Sequence, residues 1–379
     1  MYTKINNSLL VVFVVLSLIQ MFINPKNITF KTSFLNGWPV LGFFMLSVLA
    51  SFRTTDLQSF KFLENHWSLL FVPVVMLSDK DFYNQRRRGA FLSLLWGSFL
   101  TLLICNSHWL FNILQNGNTI GNPLEWGNAG HNFTEIADTH PAYLGLFVVT
   151  SILFLIQDKK FKPVFKYILL TFFLLGLFQL TSNIALLLFI VFIFYVAVSN
   201  LKEYRQQLVV LILGVFLCGA IFWVFGGFYM KSKMFSVDAV LDEKRIERWE
   251  VSYQIFRENP ITGVGFHKID EVRNEKYVQG DYSLAATKDL NAHNQFLEYL
   301  SVNGSIGGFV YVICIGFLFL LSVYRRDHLF TFLIFAFVIA NLTESMMVRI
   351  KGIEYFSIFI SLFLCGNTKS KTLNTFKII

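Results

Sequence analysis

Charged residues are scarce in this chain of 379 residues, which is 15% charged and 55% hydrophobic. A soluble protein of this size cannot bury so much apolar surface in one core, so the composition indicates a lipid bilayer as the solvent. The net charge of +8 comes from basic residues in short clusters between apolar runs. That distribution is typical of membrane proteins, so we predict membrane lipids, and no nucleic acid, among the partners.

Cysteine is also rare, and the usual metal-binding spacings are absent. Each cysteine stands in an apolar run without a Cys-x-x-Cys pair, which favours buried hydrophobes over a disulfide or metal framework: Cys105, Cys218, Cys314 and Cys365. The histidines show neither His-x-x-x-His nor His-Glu-x-x-His spacing, so a metal site is disfavoured. Its candidate ligands are His131, His140, His267 and His293. We predict neither a metal nor another cofactor.

Long apolar runs are abundant, and an α-helix needs about 20 such residues to cross about 30 Å of hydrocarbon. The first run lacks a small-x-small cleavage site, which favours a retained helix over a signal peptide. The predicted fold is an all-α polytopic membrane protein, with residues 1–379 forming one domain. About eleven spans are predicted, near residues 8–23, 37–52, 67–78, 90–113, 141–157, 164–180, 183–199, 207–228, 294–322, 329–347 and 354–366.

The basic clusters between these spans set the predicted orientation. All of them fall on one side if the eleven spans are correct, and that side is the cytoplasm. The clusters are Lys80 with Arg86, Arg87 and Arg88; Lys159, Lys160 and Lys162; Lys202 with Arg205; Arg325 with Arg326; and Lys369, Lys371 and Lys377. The opposite side receives residues 115–140, which contain no Lys or Arg, and the long loop 229–292. We therefore expect the polar chemistry on the external face.

The long loop contains a predicted amphipathic helix within "RIERWEVSYQIFRENP". Apolar residues recur there at spacings of three and four, which predicts one face of a helix that Pro260 ends. The residues of that face are Ile246, Trp249, Tyr253 and Phe256. Gly263 and Gly265 follow and allow a tight turn or a close backbone approach, whereas a lone Gly-x-Gly is weak evidence for a nucleotide site.

Arg245 and Arg248 lie three residues apart in this helix and therefore share a face. Two guanidinium groups side by side suit the oxygens of a phosphate or pyrophosphate. The alternative is that they form salt bridges, and the candidate partners are Asp242, Glu243 and Glu247. The sequence leaves both interpretations open.

His293 falls in the first turn of the predicted helix that begins near Asn294. A helix N-terminus carries partial positive charge, which disfavours imidazolium and helps to keep the ring neutral. A neutral imidazole at a membrane surface is suited to take a proton from a sugar hydroxyl as a general base. The alternative is an interfacial histidine that caps the helix or meets lipid headgroups.

Two more ionisable groups are predicted at the external ends of spans. His140 precedes the span at residue 141, and Glu344 lies near the end of the tenth span. Ionisable groups at membrane depth usually face a functional cavity or a partner. The alternative for Glu344 is a simple ion pair with Arg349.

Taken together, the segments resemble the O-antigen ligase and O-antigen polymerase superfamily of bacterial membrane glycosyltransferases. The resemblance is carried by "RIERWEVSYQIFRENPITGVGFH" and "HNQFLEYLSVNGSIGG" in this order across one long external loop. The segments "LENHWSLLFVPVVM", "THPAYLGLF" and "NLTESMMVRIKGIEYF" are similar to polymerase-like members. One departure is that many members carry a Ser–Arg pair where this chain has Ser182 and Asn183. Arg349 is a candidate to supply the missing contact.

The resemblance implies a GT-C-like arrangement of helices in the bacterial inner membrane, with the active site facing the periplasm. It implies metal-independent transfer of a glycan from undecaprenyl pyrophosphate to an acceptor hydroxyl. The acceptor is a second lipid-linked glycan for a polymerase, the favoured alternative, or lipid A core for a ligase. The resemblance implies that three residues at the matching positions are catalytic: Arg245, Arg248 and His293. The wider predicted substrate-binding set is Trp249, Gly263, Gly265, Asn294, His140, Glu344 and Arg349.

Two other classes of function are weighed against this one. A transporter of lipid-linked glycans often shows two related halves and broken segments near mid-membrane. No internal repeat is evident here, and the polar groups gather at one predicted face. A structural membrane subunit would leave the two arginines and His293 freely replaceable.

Overall fold

The computed structural model describes residues 3–23, 30–52, 62–116, 129–225, 243–287 and 290–366. Within these ranges the regular structure is helical and no strand occurs, which confirms the all-α prediction. In chain order the helices are α1 (Thr3–Ile23), α2 (Phe30–Ser51), α3 (Ser68–Ser78), α4 (Lys80–Gln85), α5 (Arg87–Asn116), α6 (His131–Thr134), α7 (Pro141–Gln157), α8 (Pro163–Gln179), α9 (Asn183–Phe225), α10 (Glu243–Glu258), α11 (Phe266–Gln279), α12 (Ser283–Thr287), α13 (Gln295–Tyr324), α14 (His328–Thr343) and α15 (Ile350–Leu364).

The chain divides into two compact units. Unit 1 comprises Met1–Thr3, Arg88–Leu241 and Lys369–Ile379, and unit 2 comprises Lys4–Arg87 and Asp242–Thr368. The single domain foreseen from the sequence stays a prediction. Of the long loop 229–292, residues 229–242, 288 and 289 lie outside the described residues. The lysines at positions 369, 371 and 377 also lie outside them.

Within the described ranges, three helical segments are long and apolar enough to cross a membrane: Ser33–Ser51, Arg87–Gln115 and Gln295–Tyr324. A fourth is counted if His131–Ala137 and Pro141–Gln157, bent by 79°, form one broken span. Most of the remaining predicted spans fall on apolar stretches of 10–17 residues, so the total of about eleven stays a prediction. Along α13 the exposed side chains include Phe309 and Leu320, at 67% and 68% of full exposure, which suits lipid contact.

The structure differs from the sequence prediction at α9. Two spans, 183–199 and 207–228, were expected with a loop at Lys202 and Arg205 between them. Instead, one continuous helix runs from Asn183 to Phe225. The stretch between the two apolar runs is polar but contains no Gly or Pro. Hydropathy therefore falls there while helix propensity does not, and the helix continues.

In unit 2, α10 and α11 pack with α13 around a small apolar cluster. Its members include Val251 and Ile255 of α10 and Val302 of α13, each at most 3% exposed. The helix predicted before Pro260 is present, but two residues of its predicted apolar face, Ile246 and Tyr253, are 54% and 50% exposed. The helix α10 carries a second apolar stripe of smaller residues, which allows α10 and α13 to approach more closely.

Candidate active site

A turn after α10 is joined to α13 through main-chain hydrogen bonds. The amide of Val264 donates to the carbonyl of Ser301 at 3.0 Å, and that of Gly265 donates to Val302 at 2.9 Å. In the other direction, the amide of Ser305 donates to the carbonyl of Pro260 at 2.8 Å. The turn thus replaces helical hydrogen bonds that α13 loses at its kink, where Gly304 has φ 64° and ψ −154°.

Glycine is required at this junction because the two backbones touch. Gly263 has φ +62°, and a Cβ there would overlap the carbonyl group of Val302. Gly304 has φ +64°, and a Cβ there would overlap the carbonyl group of Ile261. The close backbone approach predicted for the Gly-x-Gly segment is confirmed, and its partner is α13. The binding of substrate by Gly263 and Gly265 stays a proposal.

The arginines of α10 differ in their surroundings. Arg248 is 7% exposed and its charge acts on the hydroxyl of Tyr277 in α11, whereas Arg245 is half-buried. Next to Arg248, the indole Nε1 of Trp249 is buried and has no hydrogen-bond partner within the described part of the chain. Of the salt-bridge candidates, Asp242 and the side chain of Glu243 lie outside the described residues.

A buried ion pair holds the segment that precedes α13. Arg273 Nη2 lies 2.8 Å from Glu298 Oε1, with only 4% and 8% of the two side chains exposed. The second carboxylate oxygen of Glu298 accepts the amide of Ala292 at 3.0 Å. Burial alone would lower the pKa of Arg273, but the carboxylate of Glu298 raises that pKa above its ordinary value. The guanidinium therefore stays charged, and the residue before His293 is fixed.

Tyr277 makes a second contact to the same segment. Burial raises the pKa of Tyr277 to about 12, so the hydroxyl keeps its proton. The hydroxyl donates a hydrogen bond to the carbonyl of Leu290 at 3.0 Å. Tyr277 thus links α11 to the segment that carries His293, and both lie in unit 2.

The sequence predicted His293 in the first turn of the helix, but the structure places it before the helix. The helix α13 begins at Gln295 with Asn294 as its N-cap, so His293 precedes the cap. It has φ 46°, in the left-handed region that non-glycine residues seldom adopt. Its amide donates to Asn291 Oδ1 at 3.0 Å, a local turn that stabilises this conformation.

The ring of His293 is instead paired with a carboxylate. Its Nδ1 lies 3.2 Å from Oε2 of Glu344, with 18% and 12% of the two side chains exposed. Glu344 is the C-cap of α14. Because a carboxylate only accepts, the neutral ring carries its proton on Nδ1 and leaves the Nε2 lone pair available as a base.

Asn294 joins the same two helix ends. Its Oδ1 accepts the amides of Phe296 and Leu297 at 3.0 and 3.2 Å, and its Nδ2 donates to the carbonyl of Leu342 at 3.3 Å. Arg349 is the N-cap residue of α15, and its side chain is exposed. The structure thus gives Asn294 a capping contact, while substrate binding by Asn294 and Arg349 stays a proposal.

His140 belongs to unit 1 rather than to the unit that carries His293. It is the N-cap of α7, and its Nδ1 accepts the amide of Ala142 at 3.2 Å. Its ring lies across that of His131, with 4.3 Å between the ring centroids. Within the described residues, no group of three or more His, Cys, Asp or Glu side chains is arranged to hold a metal ion.

The sequence did not single out four residues that shape this site: His66, Arg273, Gln295 and Glu298. Two of them, Gln295 and Glu298, stand inside "HNQFLEYL", next to residues that were singled out. Spacing does not identify the contact between Glu298 and Arg273, because the two residues are 25 positions apart in sequence. Only the packing of α11 on α13 brings the pair together.

The family model described as O-antigen ligase (Wzy_C) matches residues 167–312 of the chain. Over this part of the chain, the match confirms the resemblance to the O-antigen ligase and polymerase superfamily. The matched range includes Arg245, Arg248 and His293, whereas Glu344 and Arg349 follow it. No curated protein matches the chain.

Proposed function

We propose that this protein is a membrane glycosyltransferase that extends a surface polysaccharide. Its donor is a glycan on undecaprenyl pyrophosphate, and its acceptor is a hydroxyl of a second lipid-linked glycan, at the periplasmic face of the inner membrane. Two findings support the proposal: the O-antigen ligase match over residues 167–312 and the pairing of His293 with Glu344. The proposed catalytic role of His293 depends on this pairing.

The paired side chains make a general base. Glu344 accepts a hydrogen bond from Nδ1 of His293 and fixes the ring, so that Nε2 is presented to an acceptor hydroxyl. When Nε2 takes the hydroxyl proton, the ring becomes imidazolium, and the adjacent carboxylate stabilises that charge. Positioned general bases of this kind contribute roughly 10²–10⁴-fold to a reaction rate.

The cationic end of α10 suits the leaving group. Arg245 and Arg248 offer guanidinium forks to the phosphate oxygens, and Nε1 of Trp249, which has no hydrogen-bond partner among the described residues, offers one more donor. Charge accumulates on the pyrophosphate as the glycosidic bond breaks, so donors fixed there stabilise the transition state more than the ground state. Arg349, which is exposed and five residues after Glu344 in the sequence, is a further candidate cation for the same purpose.

The proposed step is a single displacement in which the atoms balance. The acceptor oxygen attacks the anomeric carbon of the donor, and the bond from that carbon to the phosphate oxygen breaks. The lipid pyrophosphate leaves with the bonding electron pair, and the hydroxyl proton goes to Nε2 of His293. Configuration at the anomeric carbon is inverted. The groups named here supply the base and the counter-charge without a metal ion.

The test uses purified protein in detergent or nanodiscs with a lipid-pyrophosphate oligosaccharide, with and without lipid A core. Lengthened lipid-linked chains in both reactions are the expected result. Glycan attached to the core, without lengthened lipid-linked chains, would establish a ligase and overturn the polymerase assignment. Movement of the intact donor across vesicle bilayers, without any new glycosidic bond, would establish a transporter instead.

A further inference from the structure

His66 is a buried histidine in "LENHWSLLFVPVVM", a segment to which the proposed function gives no role. It is 5% exposed and stands in the turn that precedes α3. Each of its ring nitrogens meets a main-chain carbonyl oxygen: Nδ1 lies 2.8 Å from Phe62 O, and Nε2 lies 3.1 Å from Met347 O. A neutral ring donates to only one of the two, so the contacts have to be tested separately.

The carbonyl that His66 meets belongs to Met347, a residue whose amide is also hydrogen-bonded. The amide of Met347 donates to Oε1 of Gln295 at 2.6 Å, and both residues are at most 2% exposed. Met347 is the middle residue of a short 3₁₀ turn, Met346–Val348, that lies between Glu344 and Arg349. Gln295 is the first residue of α13, directly after the cap residue Asn294.

These contacts leave the turn little freedom relative to the catalytic histidine. Asn294 Nδ2 donates to Leu342 O, His293 pairs with Glu344, and Gln295 bonds Met347. His66 supports the same turn from the other side, and its ring rests on Phe266, with 5.7 Å between centroids. Phe266 directly follows the Gly263–Gly265 turn that anchors α10 on α13. His66 therefore stands where three segments of the site meet.

We propose that His66 is a positioning residue for the His293–Glu344 pair, a role that rests on the proposed function. Its Nε2 donates to the Met347 carbonyl and so fixes the Met346–Val348 turn, which in turn fixes Glu344. The ring does not touch the reacting atoms. Because a displacement of about 1 Å in a catalytic group can cost about 10²-fold in rate, loss of this support lowers kcat while KM changes little.

Two substitutions separate the contacts of His66. In His66→Gln the side-chain amide reaches the position of Nε2 and can still donate to Met347 O. In His66→Asn the shorter amide reaches only the position of Nδ1 and can bond Phe62 O within its own turn. We expect kcat to fall about tenfold or more in His66→Asn and to stay within about threefold of wild type in His66→Gln. His108→Asn, in α5, is the control and keeps wild-type kcat.

A second measurement does not depend on activity. Hydrogen exchange followed by mass spectrometry reports the amide of Met347 in a peptide that covers residues 345–348. The proposal predicts faster exchange there in His66→Asn and wild-type exchange in His66→Gln. If His66→Asn does not fold, Gln295→Met removes the hydrogen bond to the amide of Met347, and it must give the same faster exchange and lower kcat.

Wild-type kcat and wild-type exchange in His66→Asn would overturn the positioning role, and so would equal losses in His66→Asn and His66→Gln. The proposed function fails separately, if His293→Ala keeps wild-type transfer. In that case the exchange measurement still reports whether His66 holds the turn.

Discussion

Nδ1 of His293 lies 3.2 Å from Oε2 of Glu344, and this contact joins the residue that precedes the cap of α13 to the residue that ends α14. Neither side chain is fully buried, with 18% and 12% exposed. A histidine fixed in this way presents Nε2 in a constant direction, as a general base requires.

Removing the charge of Glu344 tests the pair directly. In Glu344→Gln the side chain keeps nearly the same size and still has an oxygen that can accept from Nδ1, but it no longer stabilises imidazolium. We expect kcat to fall about 10²-fold with little change in KM. Steady-state kinetics on a lipid-pyrophosphate oligosaccharide measures both constants. Glu271→Gln, an exposed carboxylate on α11, is the matched control, and an equal loss there would remove the special role of Glu344.

Replacing Arg245 with lysine tests how the leaving group is held. The substitution keeps the charge but removes the planar fork that bonds two oxygens at once. We expect kcat/KM to fall about tenfold or more, because a bidentate contact becomes a single one. The control is Arg257→Lys, an exposed arginine near the end of the same helix. Wild-type kinetics in Arg245→Lys would return Arg245 to a structural role on the surface of α10.

The junction between the turn and α13 predicts that replacing glycine with alanine destabilises the protein at one position of α13 and not at another. At Gly304 a Cβ overlaps the backbone of Ile261 and φ is +64°, so Gly304→Ala is strained in two ways. We expect a loss of about 2 kcal/mol or more in the free energy of unfolding. At Gly316 a Cβ meets nothing within 4 Å, so Gly316→Ala is neutral or slightly stabilising. Thermal denaturation of the two variants measures the difference. Similar melting temperatures would contradict the claim that glycine is required at position 304.

The ion pair between Arg273 and Glu298 predicts a stability effect that also reaches the site. Arg273→Met leaves the carboxylate of Glu298 buried without its partner, which costs about 3–5 kcal/mol. The double variant Arg273→Met with Glu298→Gln removes both charges and is expected to recover much of that loss. Denaturation curves of the four proteins in this cycle measure the coupling. Additive losses, without recovery in the double variant, would show that the two side chains are not coupled.

The sequence sufficed for features that depend on local periodicity. Long apolar runs located most helices, and the order of the Arg245 and His293 segments was enough for the family resemblance. The buried face of α10 was not predictable in the same way, because the helix has two apolar stripes. Val251 and Ile255 are smaller than Trp249 and Tyr253, and they allow closer packing on α13.

Partners of the site residues were the least predictable feature. Glu344 was singled out as ionisable, but its pairing with His293 depends on how the ends of α13 and α14 meet. His66 and Gln295 contact one residue, Met347, through its carbonyl and its amide, from distant parts of the chain. Such contacts are set by tertiary packing, and a single sequence carries no periodic signal for them.

The central claim is that His293 removes the proton of the acceptor hydroxyl during glycan transfer. Its most direct test is single-turnover transfer from a lipid-pyrophosphate oligosaccharide by wild-type protein and by His293→Ala, at equal amounts of correctly inserted protein. We predict lengthened chains with the wild type and a rate at least about 10²-fold lower with the variant. Equal rates of chain extension in the two proteins would contradict the claim.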